Sequence, residues 1–257
     1  MLEISSEQRL TVISLLNENS FSLTEIQKKI GASASEIHRN LQRLLESQII
    51  TKNTDGKYTL STFGKAINSQ LSFWEFFTSN KKYFQTHTLD GLDSIFVQSI
   101  GALSGSCLVE GFVKVQETWK NIYKNSTVYI HNMLQEISYD SDTMDILAKK
   151  IKQNFSLHTI FAKDTIISQN RESIIKSSGF ESILKQDNIK RRLIDSIPVS
   201  IVMNETEAAI SFAGINGKID VSHAFYGKSL EFHRLCHDIF SRYWEISGVF
   251  SESKLKK

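Results

Sequence analysis

The sequence predicts two domains of different class: an α+β module at residues 1–65 and an α/β layer with a mixed sheet at 87–257, joined by a connector helix at 66–86. Three observations predict this. Three short helical segments run into an Asp-Gly turn; an aromatic stretch follows; then apolar runs rich in β-branched residues alternate with helical ones.

The first helix is expected in "SSEQRLTVISLLNEN", where Ser5 and Gln8 suit a capping box and Leu10, Ile13 and Leu16 share one face. "SLTEIQKKIG" repeats the device with Ser22 and Glu25, buries Leu23, Ile26 and Ile30, and stops at Gly31, which tolerates the left-handed backbone of a helix end. Ser33 and Glu36 cap the third helix. Its apolar positions Ile37, Leu41 and Leu44 leave His38, Arg39, Gln42 and Arg43 on the other sides. Residues 49–52 and 57–60 then flank Asn53 to Gly56, with Asp55-Gly56 a hairpin signal.

Three helices followed by a two-stranded ribbon is the order of a winged helix-turn-helix, and its chemistry suits duplex DNA. A helix fits the major groove, and residues on its exposed side reach base edges. The DNA-facing set is expected to be Ser33, Ser35, His38, Arg39, Gln42 and Arg43 on the third helix, with Lys52, Asn53 and Lys57 in the ribbon. Serines at a helix start suit phosphate, helped by free amides there. Taken singly, these residues also suit a solvated surface. Glu36 is best explained as a cap, because its charge repels phosphate. Lys and Arg before residue 66 number eight, against seven acids, so one copy offers little net attraction and a homodimer presenting two helices is expected.

The connector "TFGKAINSQLSFWEFFTSNKKYF" places Phe63, Ile67, Leu71 and Trp74 on one stripe, widened by Phe73, Phe76 and Phe77. A helix this apolar is expected to be buried on more than one side, as core or as a dimer contact.

In the second domain, strands are expected at 127–131, 157–162, 198–203 and 208–213, the last two as an antiparallel hairpin, with a turn at Asn216-Gly217. Helices are expected near 90–103, 110–124, 141–153, 164–177 and 229–246. An α/β layer offers a crevice at its strand ends. His131, Lys163, Arg191 and Arg192 lie near such ends and suit a small anionic effector, or are exposed strand-end charges.

The whole composition sets outer bounds. At 257 residues, 40% hydrophobic and 23% charged, with one proline, the chain is globular, and each half can bury a core. A net charge of +2 advertises no global attraction to polyanions. Cys107 and Cys236 read as two buried thiols in a reducing compartment. The opening "MLEISSEQRL" lacks the basic and apolar regions of a secretory signal, and the uncharged stretch 94–109 falls short of the roughly 20 apolar residues that span a bilayer. That stretch is expected to be a buried helix and loop, and the location cytoplasmic, with no membrane partner.

The N-terminal pattern, "YFQTHTLDGLDSIFVQSIGAL" and the closing "ISFAGINGKIDVSHAFYGKSLEFHRLCHDIFSRYWEIS" together resemble archaeal winged-helix transcriptional regulators with a methanogenesis-regulatory-protein (Fil-type) C-terminal domain. Phe212, Gly217, Asp220, Phe225, Tyr243 and Trp244 carry the match. Where that family often places a proline, this chain has Asp93. The resemblance implies a transcription regulator whose second domain senses a ligand or mediates assembly, on a phospholipase-D-like fold.

That fold raises the question of an enzyme. Its chemistry needs His-x-Lys-x4-Asp, and none of the seven histidines has lysine two positions later, so phosphodiesterase activity by that route is excluded. No nucleophile elbow, P-loop or dinucleotide fingerprint is present either. His233 and His237 stand at i and i+4, with Cys236 beside them and His223 upstream, but that helix must also bury Leu235, Ile239, Phe240 and Tyr243. Packing is the preferred reading, with no metal, cofactor or catalytic residue expected. The sequence thus supports a DNA-binding regulator with an effector-sensing domain. The alternative is a protein-interaction adaptor using a winged helix without DNA readout; an enzyme with an unrecognised site ranks third.

Overall fold

A computed structural model of the protein describes residues 6–137, 141–151, 155–167 and 186–251. The chain packs as two compact units, Met1–Glu75 and Phe76–Lys257, each with its own core.

In the first unit, α1 (Glu7–Glu18), α2 (Leu23–Ile30) and α3 (Ala34–Glu46) precede β1 (Ile50–Lys52) and β2 (Tyr58–Leu60), and α4 (Thr62–Asn68) follows. Ser22 with Glu25 and Ser33 with Glu36 form reciprocal capping boxes, and Gly31 ends α2 at φ 74°. The start of α1 differs from expectation. Ser5 lies outside the described residues, the side chain of Ser6 makes no capping bond, and Gln8 instead accepts a hydrogen bond from the Asn40 amide at 2.9 Å. In the ribbon, Ile50 stands opposite Leu60 and Lys52 opposite Tyr58. Asn53 shapes its turn by accepting the Lys57 N–H at 2.8 Å, and Phe21 adds an antiparallel bridge to Tyr58.

Ile13, Leu16, Ile26, Ile37, Leu41, Leu44, Ile50 and Leu60 close together in one core. Burying each such side chain contributes roughly 1.5–3 kcal/mol, against about 1 for a cap. The core therefore holds the unit, and the caps set where its helices begin.

The stretch expected as one connector helix breaks after α4. It resumes as α5 (Leu71–Ser79) and ends in a 3-10 turn at Tyr83–Gln85. Ser69 and Asn80 turn their side chains back onto the Ala66 and Phe76 carbonyls, competing with helix continuation. Leu71 and Phe76 are buried, but Phe63 and Trp74 are 57% and 61% exposed, so the stripe is not covered along its length.

The second unit contains β3 (His87–Thr88), α6 (Ser94–Gln98), a 3-10 turn at Ile100–Leu103, β4 (Cys107–Glu110), α7 (Phe112–Asn125), β5 (Tyr129–Ile137), α8 (Ser141–Ile151) and β6 (Ser156–Ile167). β7 (Ile189–Ile194), β8 (Val199–Met203), β9 (Ala208–Gly214), β10 (His223–Gly227), α9 (Leu230–Ile246) and β11 (Gly248–Val249) complete it. The strand order is β11-β7-β6-β5-β8-β9-β10-β4, with β3 on β9. β5, β6 and β7 run parallel and the remaining pairs antiparallel, so the sheet is mixed. β8 and β9 form the expected hairpin, and Gly217 turns at φ 76°.

Every residue of β8 is buried, as befits a central strand covered on both faces. Trp119 and Ile122 of α7 and Met144 and Leu147 of α8 pack over one face. On the other, Phe240 of α9 stacks on His131, and Phe76, Tyr83 and Phe84 meet Phe212 and Phe225.

Three local expectations are corrected. The helix expected at 164–177 begins as strand: β6 runs to Ile167, with Thr165 bonded to the Leu134 and Ala162 carbonyls, and residues 168–185 lie outside the described part. The helix expected near 90–103 is two short turns, and the stretch after it ends in β4. Cys107 is exposed on β4, an edge strand, while Cys236 is buried in α9, where burial raises its thiol pKa. No helix among the described residues is long and apolar enough to cross a membrane.

Candidate functional site

The outer surface of α3 is polar because its periodicity divides it cleanly. Ile37, Asn40, Leu41 and Leu44 are buried, whereas Ser33, Ser35, His38, Arg39, Gln42 and Arg43 are exposed, as are Lys52, Asn53 and Lys57 in the ribbon. Several of these side chains already have local tasks. The Ser33 hydroxyl donates to Glu36 Oε2 at 2.6 Å, and Ser35 Oγ lies 3.2 Å from Ser33 Oγ. Lys52 Nζ sits over the Tyr58 ring, 5.3 Å from its centroid. Arg39, Gln42 and Arg43 extend from the stretch of α3 beyond its cap.

Hydrogen bonds from the Ser33 hydroxyl and amide hold the Glu36 carboxyl below its usual pKa, so a negative charge occupies the α3 N-terminus. A phosphate there would have to displace that carboxylate. Ser33→Ala is expected to cost about 1 kcal/mol, the usual worth of an N-cap, read as a lower denaturation midpoint at unchanged slope. An unchanged midpoint would show that the Glu36 carboxylate alone caps the helix.

The four basic residues expected to hold an anion are not brought to one point. His131 and His158 are register partners on β5 and β6, with rings 5.2 Å apart and nearly parallel. Trp244 stacks on His158, and Arg192 lies over Trp244 while donating to the Trp244 and Ser247 carbonyls at 2.6 and 3.3 Å. Arg192 thus ties β7 to the end of α9. Arg191, on the opposite face of β7 by strand alternation, packs over Phe250. Lys163 pairs with exposed Asp195.

Burial, with the His158, His237 and His233 rings around it, lowers the His131 pKa from 6.5 to about 3. The unfolded chain therefore takes up a proton here near pH 6.5 that the folded chain refuses. This site's contribution to stability is full above that pH and falls away as pH drops toward 3. His158, also lowered by burial, adds in the same direction. His131→Phe keeps a ring against Tyr129 and Phe240. It is expected to flatten the fall in Tm between pH 6.5 and 4; an unaltered slope would mean that protonation of His131 is not linked to unfolding.

The two histidines of the i, i+4 pair on α9 make separate contacts. His233 Nε2 lies 2.7 Å from the Asn204 carbonyl, while His237 Nδ1 lies 3.5 Å from Ser241 Oγ. A different cluster forms beside β9 and β10. β3 pairs with β9, which brings His87 beside the turn leading into β10. There Asp220 Oδ2 lies 3.0 Å from His87 Nε2 and 2.7 Å from His223 Nδ1. The Ser222 amide and hydroxyl donate to Asp220 Oδ1 at 2.8 and 2.5 Å. Burial raises the Asp220 pKa, but the Ser222, His223 and His87 hydrogen bonds outweigh it and hold the carboxyl at about 2. His87 and His223 line a cavity of about 650 Å³ with Lys81, Lys82 and Glu110.

This cluster was not found as a site by sequence reasoning. His87 and Asp220 are 133 positions apart. The one local signal was Asp220-x-Ser222-His223, a short turn that places a carboxylate against an imidazole.

No curated protein matches the chain. Among solved structures it is similar to TrmBL2, an archaeal chromatin protein whose structure shows a novel mode of DNA binding, at 11% identity and TM-score 0.42, covering 95% of this chain and 92% of that one. It is also similar to Nuc, a phospholipase D family member from Salmonella typhimurium, at 9% identity and TM-score 0.38, covering 53% and 91%. A weaker similarity, at 9% identity and TM-score 0.25, is to human N-acetylserotonin methyltransferase in complex with SAM, covering 74% and 61%. The family model described as the HVO_A0261 N-terminal domain matches residues 2–78, the stretch that holds α1 to α4 and the ribbon.

Proposed function

We propose that the protein is a cytoplasmic, sequence-specific DNA-binding transcriptional regulator whose first unit is a winged helix-turn-helix. The observation that carries this reading is the division of α3: one face is wholly buried, and the other presents Arg39, Gln42 and Arg43 after a glycine turn and a cap, with a lysine-bearing ribbon next in the chain. Arg and Gln are residue types that read guanine and adenine edges, and the ribbon lysines suit phosphates.

A homodimer belongs to the same proposal, since eight bases against seven acids leave one copy little net attraction. The exposed Phe63 and Trp74 side chains supply apolar surface for such contact. The second unit is proposed to sense a small effector or to mediate assembly. The cavity beside His87 and His223 favours the first role more than the dispersed His131, Lys163, Arg191 and Arg192 do. An effector acts only by favouring one arrangement of the chain over another.

The near balance of charge also favours a second reading, a protein-interaction adaptor without DNA readout. Duplex binding over a salt series separates the two, using the gene's own upstream DNA and a scrambled duplex. The regulator binds the native duplex preferentially, with log affinity falling linearly in log salt. Equal, negligible binding to both would support the adaptor.

A further inference from the structure

We propose that His87 Nε2, Asp220 Oδ2 and His223 Nδ1 form a mononuclear site for a divalent first-row transition metal ion, with its remaining coordination positions facing the cavity beside them. These three atoms lie within 4.8 Å of one another. The proposal stands whether or not the first unit reads DNA.

Proton bookkeeping around His87 comes first. Its Nδ1 lies 2.9 Å from the Tyr83 carbonyl oxygen, which has no proton to give, so Nδ1 carries a hydrogen and donates it. The Thr86 hydroxyl, 3.0 Å from Nδ1, lies 3.2 Å from the same carbonyl and donates there. In a neutral ring the Nε2 lone pair then faces Asp220 Oδ2, itself an acceptor, at 3.0 Å. Two lone pairs at that distance repel unless a cation lies between them. Either an extra proton or a metal ion meets that need, and His223 Nδ1 brings a third donor atom to the same oxygen.

The surroundings favour the metal. A ligating imidazole characteristically donates its other N–H to a carbonyl or carboxylate, as His87 does to Tyr83. The Tyr83 ring stacks on His87 with centroids 3.7 Å apart, which fixes the ring plane. Ser222 occupies Asp220 Oδ1 through two hydrogen bonds and leaves Oδ2 for the ion. Two imidazoles and one carboxylate suit zinc, iron, cobalt or nickel, and offer too few oxygens for calcium or magnesium. Three protein ligands leave a tetrahedral ion one open position. His87 and His223 line the cavity, and Glu110, the cross-strand neighbour of His223, stands on the same wall.

The test uses the full chain, stripped with a chelator and titrated with Co²⁺ while its visible absorption is followed. The expected result is one Co²⁺ per chain, displaced by Zn²⁺, with affinity lowered at least about 100-fold by His223→Ala and about 10-fold by Ser222→Ala, which acts only by positioning Asp220. His233→Ala/His237→Ala should bind Co²⁺ as the parent does. Because Asp220→Ala removes a carboxylate on which several bonds converge, the decision rests on parent stoichiometry and on His223→Ala, whose side chain is 31% exposed. Absence of stoichiometric binding by the parent overturns the proposal. So does binding that survives in His223→Ala and is lost in His233→Ala/His237→Ala.

Discussion

Replacing Arg39 and Arg43 together by alanine is expected to weaken binding to the native duplex by roughly 30-fold or more. A lost arginine contact to a base or phosphate costs about 1–3 kcal/mol, so two contacts remove at least about 2. Both side chains are exposed and lie outside the buried face of α3, so the loss should come without a loss of stability. The salt series then assigns their role. If they touch phosphates, native and scrambled duplexes weaken alike and the salt slope shallows by about 2; if they read bases, preference for the native duplex disappears while the slope holds. Unchanged affinity for both duplexes would remove α3 from the interface.

Gly64→Ala carries the second large effect, and here two tendencies oppose each other. Alanine favours a helix interior over glycine by about 1 kcal/mol, and Gly64 lies within α4. A Cβ there, however, would stand 2.0 Å from the Ile49 carbonyl oxygen and 3.2 Å from a Leu60 methyl. That same oxygen accepts the Ser61 amide and hydroxyl, each at 3.0 Å, so it cannot retreat without breaking them. Backbone displacement wins, and a net loss of about 3 kcal/mol is expected, on the order of 10–20 °C in the melting of the first unit. A Gly64→Ala protein that melts with the parent would mean that α4 is free to move off Ile49.

What was legible in the sequence was what is local. Gly31, the Ser33/Glu36 pair and Asp55-Gly56 each act within a few residues, and the structure places them at the helix stop, the cap and the turn. The β8–β9 hairpin was legible for the same reason. The edges of the second unit were not: β3 and β11 are two residues long, and β4 takes strand form through its pairing with β10. The His87, Asp220 and His223 cluster escaped because His87 and Asp220 are 133 positions apart, while His233 and His237, the pair at i and i+4, each place one ring nitrogen in another contact. Proximity there is a product of sheet pairing, which periodicity along the chain does not encode.

The strand order also has a consequence for synthesis on the ribosome. β4 pairs with β10 and β5 lies against β8, so strands made early wait for partners translated late. Among the described residues, the core of the first unit is built from side chains between Leu10 and Leu71. A growing chain can therefore finish its first unit while the larger sheet is still open, and slow, long-range closure is left to the last part of the polypeptide to emerge.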